Sequence, residues 1–221
     1  MHSHDGSVDS KTQGEGLLWR KILRAAWMSI LLGLAIEVAL LGAAAAYGTF
    51  LSLPQVLADS LQKVSWSFLV CVGIACGTVA AKAAPVMGLL GLLTAPLGFA
   101  ASRALHKSAQ HALNVASQAG VGPSVWAIAG LKGLEYAALG AILGWLGQRK
   151  PTGLGRFLAV GLSVGIVFGG AILWLTIQHA QPALTTPGIV VRGLNELLFP
   201  IGCSFVLFVT CSIGASMRSR K

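Results

Sequence analysis

The stretch FLAVGLSVGIVFGGAILWLTIQ, residues 157–178, carries no ionisable side chain. At 1.5 Å of rise per residue a helix of this length crosses the roughly 30 Å hydrocarbon core of a bilayer. Its glycines Gly161, Gly165 and Gly169 recur every four residues and so share one helix face, a ridge along which a second helix can approach closely. On one side the stretch is bounded by the basic, turn-rich QRKPTGLGR (148–156), and on the other by HAQPALTTPG (179–188). Apolar material between polar punctuation is the mark of a membrane-spanning helix.

The same pattern repeats outward in both directions. Apolar spans are expected near residues 25–50, 65–81, 84–102, 124–147, 157–178 and 189–213. The run from 65 to 102 is too long for one crossing and divides at AKAAP (81–85), with Pro85 suited to the first turn of the second member. Pro96 marks a kink or a re-entrant element there. Residues 53–64, LPQVLADSLQKV, read as a polar connection. From Arg103 to Ala119 the polar residues Arg103, Lys107, Gln110, Asn114 and Gln118 follow helical spacing, which predicts one interfacial amphipathic helix or an extension of the third span. Residues 1–18 are polar and Gly/Ser-rich and read as a disordered cytoplasmic tail, leaving 19–221 as a single integral membrane domain. The expected fold class is all-α: a polytopic transmembrane helix bundle of about six spans.

Composition supports this reading. Over 221 residues, 55% are hydrophobic and only 10% charged, whereas soluble domains carry about 25% charged residues. A soluble Rossmann or barrel enzyme and a secreted disulfide scaffold are excluded, and the lack of period-two alternation argues against a transmembrane β-barrel. The net charge of +9 does not imply a nucleic-acid partner, because the cations sit at span ends. Lys11, Arg20, Lys21, Arg24, Lys82, Arg149, Lys150, Arg156, Arg218, Arg220 and Lys221 fall on one side of a six-span topology, against Lys63, Arg103 and Lys107 on the other. The positive-inside tendency then orients the chain N-in/C-in, with both termini cytoplasmic, in a bacterial inner membrane. Trp19, Trp66, Trp126 and Trp145 lie near span ends and read as interfacial anchors.

Ionisable groups inside a span cost ~2.5 kcal/mol or more each and are usually paired or functional. The candidates form a polar network of Glu37, Lys132, Glu135, Arg192, Asn195 and Glu196. Lys132 and Glu135 are an i,i+3 pair, and Arg192 and Glu196 an i,i+4 pair. Glu37 has no partner on its own helix; a bridge to Lys132, a watery cavity or protonation would each satisfy it. Glu37 and Glu135 also begin similar segments, EVALLGA and EYAALGA, 98 residues apart. That offset superposes the first three spans on the last three, the plan of an inverted repeat. The four cysteines have neither metal-ligand nor disulfide spacing and read as packing residues.

No nucleophile elbow, zinc-binding helix or phosphate-binding loop is present, so no enzyme, cofactor or metal site is expected. The expected function is transport, as a small carrier or a transporter subunit, proton- or cation-coupled through intramembrane carboxylates. The alternative is a non-catalytic scaffold or accessory subunit of a larger membrane complex. The expected partners are the lipid bilayer, a small solute or cation, and further membrane subunits or a second copy of the chain.

Overall fold

The computed structural model describes residues 6–115, 122–149 and 153–218. Among them there are six long helices and no strand: α1 (Gly6–Ala46), α2 (Leu53–Cys76), α3 (Ala83–Ala112), α4 (Val125–Gln148), α5 (Leu154–His179) and α6 (Thr186–Arg218). Five of these are long and apolar enough to cross a membrane, over Trp19–Ala46, Ala83–Ala112, Val125–Gln148, Leu154–His179 and Thr186–Ser212. The exception is α2, whose first half carries Gln55, Asp59, Gln62 and Lys63.

Several boundaries depart from the sequence reading. Residues 53–64 are not a connection; they are the first half of α2, with Pro54 in its opening turn, where the missing N–H is harmless. The helix then breaks over residues 77–82, as the AKAAP division requires, and Pro85 lies in the first turn of α3. Pro96 lies inside a continuous α3, so no re-entrant element is formed. The amphipathic segment is not a separate interfacial helix either, because α3 extends through it to Ala112. There Asn114, at φ 52°, terminates the helix: its N–H bonds the His111 carbonyl at 3.2 Å and Val115 N–H bonds Gln110 at 2.9 Å. Gln118 and Ala119 lie outside the described residues. Gly48, at φ 71°, ends α1 in the same way, with Gly48 N–H on Ala45 and Thr49 N–H on Ala44, four residues before the expected end of the first span. At its other end α1 is already helical from Gly6, within the segment expected to be disordered. Propagating an existing helix needs no new nucleus, so polar residues can be carried along by the stable turns that follow.

Each helix packs against its neighbours in the chain, and α6 closes the bundle against α1 while also touching α2 and α4. The contacts are antiparallel between successive helices. Ser67 Oγ donates to the Ser29 carbonyl at 2.6 Å, and Gly33 faces Val64, between α1 and α2. Gly73 faces Thr94 and Gly98 faces Val70, between α2 and α3. From α3 to α4, Gly88 faces Ala141 and Gly91 lies against the Tyr136 carbonyl. In contrast α2 and α4 run parallel to α6, since Trp66 meets Phe199, Lys132 meets Glu196 and Gly147 meets Cys211. Lys21 in the first half of α1 is within electrostatic reach of Cys211 near the end of α6, which puts these parts of the two helices at one end of the bundle.

Glycine permits these approaches. A methyl group on Gly161 would come within 2.7 Å of the Pro200 carbonyl oxygen and 2.5 Å of Ser204 Oγ, and one on Gly169 within 3.0 Å of the Glu196 carbonyl oxygen. Gly165 faces Leu197. The ridge of Gly161, Gly165 and Gly169 is therefore occupied by α6 of the same chain.

Candidate functional site: a layer of buried charge

Two groups of charged residues are enclosed by the bundle. In the first, Glu37 of α1 meets Lys63 of α2 at 2.5 Å. Both carboxylate oxygens of Glu37 nonetheless lack hydrogen-bond geometry to any partner. In the second, Lys132 of α4 lies between two carboxylates: Glu135 on its own helix at 2.8 Å and Glu196 on α6 at 2.5 Å. Glu135 is completely enclosed, at 0% exposure, and its Oε1 has no hydrogen-bond partner. The Glu196 side chain keeps 16% of its surface.

Local structure explains how these groups meet. Glu135 follows Lys132 by three positions, so one helix turn brings the two side chains together. Glu196 precedes Pro200 by four, and proline has no N–H to bond the Glu196 carbonyl. That freed carbonyl faces Gly169, the last residue of a π-helical turn, Gly165–Gly169, set into α5. A π turn adds a residue to a helical turn and is frequent beside functional groups. Behind the lysine, the Trp66 and Tyr136 rings each lie 5.8 Å from Lys132 Nζ, so the ammonium meets π faces as well as carboxylates. Trp66 also stands edge-on to Phe99, Tyr136 and Phe199, with ring centres 5.6–6.4 Å apart.

The two groups occupy one level of the bundle. The pairing of Trp66 with Phe199 on parallel helices sets Lys63 level with Glu196. The antiparallel contact of Gly202 with Leu32 sets Glu37 at that level too. Counted along their helices at 1.5 Å per residue, Glu37, Lys63, Lys132 and Glu196 lie about 10–15 Å from the end of the bundle that carries the 47–52 and 180–185 connections. Nearer that end, Asp59 and His106 approach to 3.6 Å across α2 and α3, and His106 Nδ1 donates to the Ala58 carbonyl at 3.1 Å.

Two of the expected pairings are corrected. Glu37 is neutralised by Lys63, not by Lys132, because α2 starts a dozen residues earlier than expected and carries Lys63 into the bundle. Arg192 does not pair with Glu196: it is exposed and makes no ion pair among the described residues, while Glu196 turns inward to Lys132. Asn195 is only half-buried and takes part in none of these contacts. Trp66, expected at the interface, is buried at the centre, whereas Trp19, Trp126 and Trp145 are exposed. Sequence reasoning missed Lys63 and Trp66. Reading 53–64 as helix would have found them, since Asp59, Lys63 and Ser67 then fall on one face.

No group of three or more histidine, cysteine or acidic residues among the described ones could hold a metal ion. An apolar groove of about 330 Å³, lined by Ile30, Leu61, Val64, Ser65, Phe68, Leu69 and Leu105, lies on the flank of α1, α2 and α3 and includes none of the five charged residues. The chain has no match among protein-family models, curated proteins or solved structures. The class of protein that the fold defines is a helical membrane bundle, with apolar helices that contact the lipid bilayer.

Proposed function

We propose that the chain is a membrane carrier, or the membrane-embedded part of one, that crosses a bacterial cytoplasmic membrane six times and couples transport to a proton or small cation through its buried carboxylates. The observation that supports this is the excess of acid at the second charged group: one ammonium serves two glutamates. A purely structural network is most economical when its charges balance, as they do at Glu37 and Lys63. The coupling role therefore belongs to Glu135 and Glu196, with Lys132 holding them together. The sixth crossing is α2, which packs against both α1 and α3 despite its polar first half. Both termini face the cytoplasm, because Arg20, Lys21, Arg24, Lys82, Arg149 and Arg156 gather at their end of the bundle.

Charge movement on a supported membrane tests this reading. Vesicles containing the full chain are exposed in turn to amino acids, sugars, organic anions, amines and metal cations. A transient current is expected with one class and is lost in Glu135→Gln. A protein giving no current with any class is not a carrier.

A specific observation favours the second reading, a scaffold or accessory subunit. Every buried glutamate among the described residues is met by a lysine. On that reading no solute evokes current, and the charged layer serves to fix the helices in register.

A further inference from the structure

We infer that the ligand of the Lys132–Glu135–Glu196 group is a single proton, held on its two glutamates, and not a metal cation. This rests on the transport reading above and names the coupling ion. Three observations on the site lead to it. The ammonium of Lys132 already stands at the point between the carboxylates, 2.8 Å from Glu135 and 2.5 Å from Glu196, where a metal ion would have to lie. Two carboxylates against one ammonium leave one negative charge that the group itself does not balance. Lastly, Glu135 is wholly enclosed and only its Oε2 is bonded, to the lysine it shares with Glu196; its Oε1 has no donor in reach, so a full charge on this carboxylate would have no water and half of it no hydrogen bond.

The other groups around the site do not remove that charge. On α4, Tyr136 is a neutral phenol beside Glu135, and on α6 and α2 Cys203 and Cys71 are neighbouring thiols. Trp66 of α2 contributes only its ring face to Lys132. Lys63 of α2, level with Glu196, is engaged by Glu37 of α1. Arg192, one turn before Glu196 on α6, is exposed and turned away. A proton supplies the missing positive charge without needing any coordination volume. Placed on Glu135, the carboxyl group with no exposure, it lets Glu196, the more exposed of the two, remain ionised against Lys132. Glu196 is also the point of entry, as the only glutamate of the pair with surface left. The exchange is an acid–base step: hydronium gives its proton to Glu196, or water takes one from it, and the proton passes between the glutamates through Lys132, whose ammonium gives an N–H proton to one carboxylate as it accepts the proton of the other.

Infrared difference spectroscopy on the full chain in detergent reads this without any transported solute. The carbonyl stretch of a protonated carboxyl group is separate from the bands of ionised carboxylate. The wild type is expected to show that band at neutral pH and to lose it at alkaline pH. Glu135→Gln and Glu196→Gln should each abolish it at neutral pH, since either change leaves one carboxylate for one ammonium. Glu37→Gln should leave it in place. If one of the two glutamine variants fails to fold by circular dichroism, the other carries the same expectation. A wild-type protein without the band, or a band that survives in a folded Glu135→Gln or Glu196→Gln variant, overturns the inference. Current without the band would leave transport standing and remove the proton. The band without current would leave the proton site standing and remove the carrier.

Discussion

Lys63 shows most clearly how the site is built. Among the described residues its charge is met only by Glu37, and that of Glu37 only by Lys63, so truncating either leaves a buried charge alone. Breaking such a pair costs about 3–5 kcal/mol, whereas replacing both partners by neutral residues of similar volume is close to neutral. Thermal unfolding in detergent should therefore show a large loss for Lys63→Met and for Glu37→Gln separately, and recovery of most of it in the double variant. Equal losses in the double and single variants would mean that the two side chains do not depend on each other. Lys132 should behave differently. Lys132→Met removes the common partner of two glutamates, one of which holds a proton, so most of its deficit should be relieved by adding Glu196→Gln alone. The sequence alone marks Glu37, Lys132, Glu135 and Glu196 as unusual because charge in an apolar run is costly wherever the run lies. Their partners depend on rotation and height between helices, which composition does not encode. That is why the sequence leaves the partner of Glu37 open among a bridge to Lys132, a cavity and a proton, while the structure supplies Lys63.

At the scale of the element, close packing of backbones decides where helices sit. A side chain added at Gly91 would overlap the Tyr136 carbonyl oxygen, and one at Gly161 would meet Pro200 and Ser204. By contrast a methyl group on Gly155 has nothing within 4 Å. Overpacking a tight interface costs about 1–3 kcal/mol. Gly91→Leu and Gly161→Leu should accordingly lower the unfolding temperature in detergent, while Gly155→Leu leaves it nearly unchanged. A comparable drop in all three would mean that packing at these contacts is not the cause, since leucine for glycine favours the helix at each site. The spacing of Gly161, Gly165 and Gly169 was visible in the sequence. That the ridge meets α6, and that a π turn at Gly165–Gly169 lies opposite Glu196, was not, since both follow from the match between two helices distant in the chain. The boundaries of α2 were misjudged for a related reason. Polar residues at 53–64 resemble a loop until helix neighbours supply their partners.

For the whole molecule, antiparallel succession of six helices brings the start of α1 and the end of α6 to one end of the bundle. Single cysteines placed at Thr49, Gly122 and Ala183 in a chain without native cysteines should react with an impermeant maleimide from one side of the membrane. A cysteine at Arg156 should react only from the other. Labelling of Thr49 and Arg156 from the same side would remove one crossing from the topology. The similarity of the segments at Glu37 and Glu135 acquires a limited meaning at this scale. The first three helices correspond in order to the last three, and α4 runs opposite to α1. The two glutamates are nonetheless partnered differently, one by a lysine of the next helix and one by a lysine of its own. Any repeat is therefore one of architecture and not of the site.

Hydropathy is a property of each segment on its own, so helical character and residence in lipid could be read directly from the chain. So could the rough position of the five long apolar helices, though not the start of α2, and the identity of most buried charges. Tertiary structure decided what touches what: Lys63 against Glu37, Lys132 between two glutamates, Trp66 at the centre, and the ridge of α5 against α6. Burial in lipid is determined by composition, whereas the pairing of charges is determined by distances of a few ångströms between residues up to 64 positions apart. Such distances are set only once the helices have chosen their faces.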